Sequence, residues 1–267
     1  MVKDSTLQII KNSLAELKAP VRLVLFTSDR GCDACPDAVA TAQAIKAAAP
    51  KIALESYDLT MDRDKTEEYA IKRVPSLVVQ STVGRSVTFS GAVEGISLLM
   101  LLDAINGVAS NRKWFPDRIA STLTLLRREV LVQVFLESDC TLCKPVAETA
   151  MGLALTNRLV NAELIAADDF PDMLAKHRIK ILPFILFGTT LSHEGHASES
   201  EFLEMLFQAQ AKAGTPEKRC VICGQPSSDM ICSSCKTKIQ AEAVNHKSKD
   251  EHMPERGMIV EHPGHKH

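Results

Sequence analysis

All eight cysteines of this 267-residue chain fall in four Cys-x-x-Cys pairs: Cys32/Cys35, Cys140/Cys143, Cys220/Cys223 and Cys232/Cys235. Two sulfurs at this spacing can close a small disulfide or clamp one edge of a tetrahedral metal ion. Disulfides that merely staple a secreted fold usually join distant positions, so the pattern points to redox or metal chemistry in a reducing compartment. The first two pairs each follow an apolar run, Val21–Phe26 and Leu131–Phe135, and each opens a helical stretch. At such a junction the first sulfur meets the unpaired N–H groups and positive dipole end of a helix, which favour thiolate. Position therefore assigns Cys32 and Cys140 as nucleophiles, and Cys35 and Cys143 as resolving thiols. A Val74-Pro75 step and a Leu182-Pro183 step follow, each proline 43 residues after its first cysteine. A cis proline facing the sulfurs would leave the backbone of Val74 or Leu182 free to pair with an extended substrate peptide. Cysteine pair and proline both recur at an offset of 108 residues.

The elements that must position these groups recur with them. Residues 4–18 have helical apolar spacing closed by Pro20, and Val21–Phe26 reads as a buried strand. A helix over Asp33–Ala48, a strand over Ile52–Leu59 and a short charged helix over Asp62–Ile71 follow. Ser76–Gln80 and Arg85–Phe89 form a hairpin, and Gly91–Gly95 opens a helix over Ile96–Ile105. After the junction 106–111, Trp114-Phe115-Pro116 starts a helix reaching Arg128, and the order repeats. Strands are expected at Glu129–Leu136, Ala162–Ala167, Phe184–Phe187 and near Leu191. Helices are expected at Leu142–Asn157, Phe170–His177 and Ser200–Ala211. The fold class is α/β, with a mixed central sheet flanked by helices, built twice.

The other two pairs lie in a different setting. Cys220 and Cys223, then Cys232 and Cys235 after eight intervening residues, sit in a segment too short to build a core. Four thiolates in two knuckles are a zinc-ribbon-like donor set, and a structural zinc would supply the order that packing cannot. An iron–sulfur cluster, further redox pairs or simple disulfides are the other uses of the same spacing. The ending is polar and reads as disordered.

Composition narrows the function classes. A net charge of −2 gives no field to recruit nucleic acid or an anionic membrane. Hydrophobic content of 45% and charged content of 24% are those of ordinary globular chains. No apolar stretch approaches the ~20 residues needed to span a bilayer, and Met1–Gln8 lacks the apolar run of a secretory signal. The expected compartment is the cytoplasm.

Residues 1–212 resemble the tandem thioredoxin-fold protein disulfide oxidoreductases, the glutaredoxin-like proteins. The likeness rests on both Cys-x-x-Cys motifs, on both prolines, on the Phe89–Gly95 turn and on the Asp168-Asp169-Phe170-Pro171 helix entry. It implies a thioredoxin-like domain over 1–108 and a second over 109–213; the four-cysteine zinc-ribbon-like segment read from the cysteine spacing spans 214–248, and the polar tail read as disordered spans 249–267. It also implies thiol–disulfide exchange on protein disulfides, with electrons from a thioredoxin-reductase-like flavoprotein or another dithiol donor and no organic cofactor. The sequence departs from typical thioredoxins in three ways. Gly31 and Asp139 stand where a tryptophan precedes the motif, and the inner dipeptides are Asp33-Ala34 and Thr141-Leu142. Phe26 and Val134 stand six residues before the first cysteines, where thioredoxin has a buried carboxylate. Asp33 should raise the thiol pKa of Cys32, whereas Lys144 should favour thiolate near the second site, so the second nucleophile is expected to be the more acidic. Two other readings use the same residues: a redox-responsive zinc-binding interaction module, and an electron-delivery pair for a dedicated peroxidase or reductase.

Overall fold

The structure is a computed structural model that describes residues 2–189, 191–213, 222–223, 231 and 235–238. Residues 1–214 form one compact unit. Its first repeat runs α1 (Asp4–Leu14), β1 (Val21–Thr27), α2 (Cys35–Ala48), β2 (Ile52–Asp58), α3 (Arg63–Glu68), β3 (Ser76–Gln80), β4 (Ser86–Ser90) and α4 (Gly95–Ala109). The second runs α5 (Asp117–Leu123), β5 (Val130–Leu136), α6 (Cys143–Thr156), β6 (Val160–Ala166), α7 (Pro171–His177), β7 (Phe184–Phe187), β8 (Leu191–Glu194) and α8 (Glu199–Ala213).

The expected helix to Arg128 stops at Leu123 because the next amides switch to i→i+3 bonds. Thr124, Leu125 and Leu126 donate to Ser121, Thr122 and Leu123, which turns Leu126 into the core. The first helix ends early for the same reason. Leu17 donates to the Leu14 carbonyl and is buried beyond the helix end rather than on its face.

The strands join in one eight-stranded sheet, ordered β2-β1-β3-β4-β6-β5-β7-β8. Within each repeat the first two strands are parallel and the hairpin is antiparallel. The repeats meet where β4 pairs in parallel with β6, Val87 opposite Ala162 and Ser90 opposite Ile165. Following the pairings, β1 and β5 point the same way, so both end at one edge of the sheet. Four strand spacings of ~4.8 Å separate them by roughly 19 Å.

Side chains alternate between the two faces. Leu23, Leu25, Val79, Phe89, Val132 and Val134 share one core with residues of α1, α2, α4, α5, α6 and α8. The opposite face holds two smaller cores: Val24, Phe26, Ile71 and Val78 in the first repeat, and Phe135, Ile165, Phe184 and Leu186 in the second. Helix α4 is buried on most of its surface, from Ile96 to Ala109. The single tryptophan, Trp114, packs over Gly107 of α4 and Gly152 of α6, with the Arg112 guanidinium 4.5 Å above its ring.

The expected zinc-ribbon-like segment and polar tail lie outside the described residues except for a few positions. Cys223 is exposed, while Cys235 is buried and begins a helical turn, 235–238. Cys220 and Cys232 are not among the described residues. Among the described residues, no helix is long and apolar enough to cross a membrane.

Candidate functional site

Strand β1 delivers its chain into the loop that carries Cys32, and β5 does the same for Cys140. Both motifs therefore leave the same edge of the sheet. In each, the two cysteines form a disulfide: S–S is 1.98 Å for Cys32–Cys35 and 2.09 Å for Cys140–Cys143. Cys32 and Cys140 are half-buried, whereas Cys35 is 4% exposed and Cys143 fully buried. One accessible sulfur and one sheltered sulfur is the geometry of an attacking and a resolving thiol. Cys35 and Cys143 each open a 14-residue helix, so dipole support for thiolate is matched at the two sites.

Val74-Pro75 and Leu182-Pro183 are both cis. The register sets Phe26 beside Ser76 and Phe135 beside Phe184, so each proline stands next to the end of the strand that feeds its motif. The Pro75 carbonyl accepts from Gly91 N–H at 2.9 Å, and the Pro183 carbonyl from Gly195 N–H at 2.7 Å.

The repeat is not uniform at an offset of 108. Phe26 pairs with Tyr57 and Phe135 with Ile165, so the strands β1 and β5 correspond at 109 while the motifs correspond at 108. The loop before Cys140 is thus one residue shorter than that before Cys32. Phe26 and Val134 are both fully buried, so neither position places a carboxylate beneath the sulfurs. The surroundings also differ in polarity. Leu142 inside the second motif is 63% exposed and Ile181 before its proline is 54% exposed. The matching first-site residues are Ala34 and Arg73. Lys144 Nζ lies 3.7 Å from Glu148 Oε1, which shares the charge expected to act on Cys140.

A polar cluster that sequence reasoning missed lies between the repeats. Arg73, directly before Val74, pairs through Nη1 with Glu163 Oε1 of β6, and the two side chains are 14% and 12% exposed. Ser90 Oγ donates to Glu163 Oε1 at 2.7 Å and Gln133 Nε2 to Oε2 at 2.7 Å. Ser76 Oγ donates to the Arg73 carbonyl at 2.8 Å and lies 2.8 Å from Ser90 Oγ. The Arg73 guanidinium also sits 5.7 Å over the Phe170 ring. Removing one partner of such a buried pair typically costs ~3–5 kcal/mol, because the other charge loses its compensation. The available signal was a lone carboxylate inside the apolar run 162–166.

His177 stands beside this cluster, its ring 6.3 Å from that of Phe135. Burial first, then the charges of Lys176 and Arg73, hold its imidazole below the ordinary value of 6.5. The folded chain thus binds this proton less readily than the unfolded chain. The associated stability is present above pH 6.5 and is lost as pH falls through 6.5 toward the depressed folded value. Thermal melts at pH 7 and pH 5 should show a smaller fall in Tm for His177→Gln than for the parent chain; equal falls would contradict this.

No protein-family model and no curated protein matches the sequence. Solved structures do. The NTD_N/C domain of the alkylhydroperoxide reductase AhpF from Enterococcus faecalis is similar at 22% identity, over 77% of this chain and 100% of that one, with a TM-score of 0.69. A protein disulfide oxidoreductase from Aeropyrum pernix is similar at 23% identity, over 79% and 94% of the two chains, with a TM-score of 0.71. These likenesses are of fold, and with the geometry above they establish residues 2–213 as a tandem thioredoxin-like architecture carrying a Cys-x-x-Cys disulfide in each repeat.

Proposed function

We propose that the chain is a thiol–disulfide oxidoreductase acting on protein disulfides. One observation carries the reading: at both sites the sulfur of a half-buried cysteine is bonded to that of a buried one at a helix start. In the reducing direction the thiolate of Cys32 or Cys140 attacks a substrate disulfide. One S–S bond forms and one breaks, and the leaving substrate thiolate takes up a proton. Cys35 or Cys143 then attacks the mixed disulfide and releases the second substrate thiol. Two electrons have passed to the substrate, and a dithiol donor such as a thioredoxin-reductase-like flavoprotein restores the pair. The backbone of Val74 or Leu182 would hold an extended substrate segment, and the exposed Leu142 and Ile181 favour an apolar segment at the second site. Insulin reduction by dithiothreitol should be accelerated by the chain at micromolar concentration; no acceleration in either direction of exchange would remove the reading.

A second reading is favoured by one neighbour, which belongs to an alkylhydroperoxide reductase. In it the two repeats deliver electrons to a peroxide-reducing partner rather than to many substrates. The third, a redox-responsive interaction module, is separated from both by whether turnover needs Cys32 and Cys140. A structural zinc on Cys220, Cys223, Cys232 and Cys235 belongs to all three readings through the chemistry of the donor set: four thiolates fill a tetrahedral site and leave no position open for catalysis. One zinc per chain, lost on replacing Cys223 and Cys235, is the expected metal analysis. The cytoplasm is the compartment that fits a pair of reducible active-site disulfides.

A further inference from the structure

Two contacts across the repeat boundary end beside the redox sites, one in each direction. Glu55 and Glu163 hold corresponding places in β2 and β6, yet their partners differ. Glu55 is forked by Arg22 of its own repeat, Nε to Oε1 at 2.7 Å and Nη2 to Oε2 at 2.8 Å. Glu163 accepts from Gln133 of its own repeat and also reaches across to Arg73 and Ser90 of the first. Arg73 and Ser76 bracket Val74-Pro75, so this carboxylate of the second repeat anchors the proline loop of the first site. In the other direction, Ile96 N–H at the start of α4 donates to the Ser138 carbonyl at 3.0 Å, two residues before Cys140. Gly95 makes that approach possible. It has φ +51°, and a Cβ there would lie 2.5 Å from the Ser138 oxygen, a backbone atom that cannot swing aside.

We propose that Glu163 and Gly95 are positioning residues that act across the boundary, each repeat setting the substrate-facing loop of the other repeat's site. The proposal rests on the exchange chemistry proposed above only for its turnover readout. Two single-site chains test it: Cys140→Ser with Cys143→Ser leaves the first site, and Cys32→Ser with Cys35→Ser leaves the second. Glu163→Gln should lower insulin turnover per KM at the first site at least about fivefold and leave the second site unmoved. Gly95→Ala should do the reverse, although Gly95 belongs to the first repeat. Ser90→Ala, which removes one bond to Glu163 without stranding a charge, should act like a weaker Glu163→Gln and serves if the latter does not fold. Iodoacetamide alkylation of reduced Cys32 and Cys140 in the same chains gives a second readout that needs no turnover. If the parent single-site chains fail to reduce insulin, the enzymatic reading is at fault, and the crossed pattern is judged on alkylation rates. A crossed pattern supports the proposal. Equal losses at both sites, or losses confined to the site of the mutated repeat, overturn it.

Discussion

Replacing Cys32 and Cys140 together should reduce insulin turnover to the rate of dithiothreitol alone, a loss of at least about a hundredfold. Serine keeps the shape of the side chain at a slightly smaller volume, its hydroxyl stays protonated and does not attack disulfides at neutral pH, and both positions lie in half-exposed loops, so the fold should persist. The single variants should divide the activity unequally. Both nucleophiles lie three residues before the first residue of a 14-residue helix, so the dipole does not distinguish them. The adjacent charges do: Asp33 is exposed beside Cys32, while Lys144 follows Cys143 and shares its charge with Glu148. Cys140→Ser should therefore cost more than Cys32→Ser, and alkylation across pH should give Cys140 the lower thiol pKa. Equal pKa values at the two sites would end that part of the account. Cys35→Ser and Cys143→Ser should instead leave a mixed disulfide that persists on non-reducing gels, because the buried sulfur that would resolve it is gone.

The second large effect concerns the repeats as folding units. A chain cut within 110–116 into two separately expressed halves should not give two folded domains. The cut would leave β4 with an unpaired edge where β6 now lies. It would also bare the face of α4 that packs on α6, and strip Arg73 of its carboxylate. The intact chain should melt in one transition reported by Trp114, which packs between α4 and α6. Each half should aggregate or show no cooperative melt. Two soluble halves with sharp transitions would show that the repeats are independent domains.

The local elements were legible because each was punctuated by its own residues. Pro50 and Pro116 bound helices, and Ser76–Gln80 and Phe184–Phe187 were read to the residue. The sulfurs and both prolines were legible from spacing alone. What spacing hid was how the halves join. A strand such as Ser86–Ser90 reads the same at a free edge as in mid-sheet, because its backbone partners leave no mark on its side chains. Glu163 sits in an apolar strand without naming its partner, since Arg73 lies 90 positions away. The one-residue shortening before Cys140 was hidden because motif and proline keep their offset while β5 alone slips relative to β1.

The central claim is that each motif is a reversible two-electron couple. The most direct measurement equilibrates the chain with mixtures of oxidised and reduced glutathione or dithiothreitol. Thiols are then alkylated at each point, and the state of Cys32/Cys35 and Cys140/Cys143 is read by peptide mass. Two separate, reversible transitions are expected, each with the slope of a two-electron exchange in which ~30 mV corresponds to about 1.4 kcal/mol. Pairs that stay reduced at every poise, or disulfides that no dithiol opens, would contradict the claim.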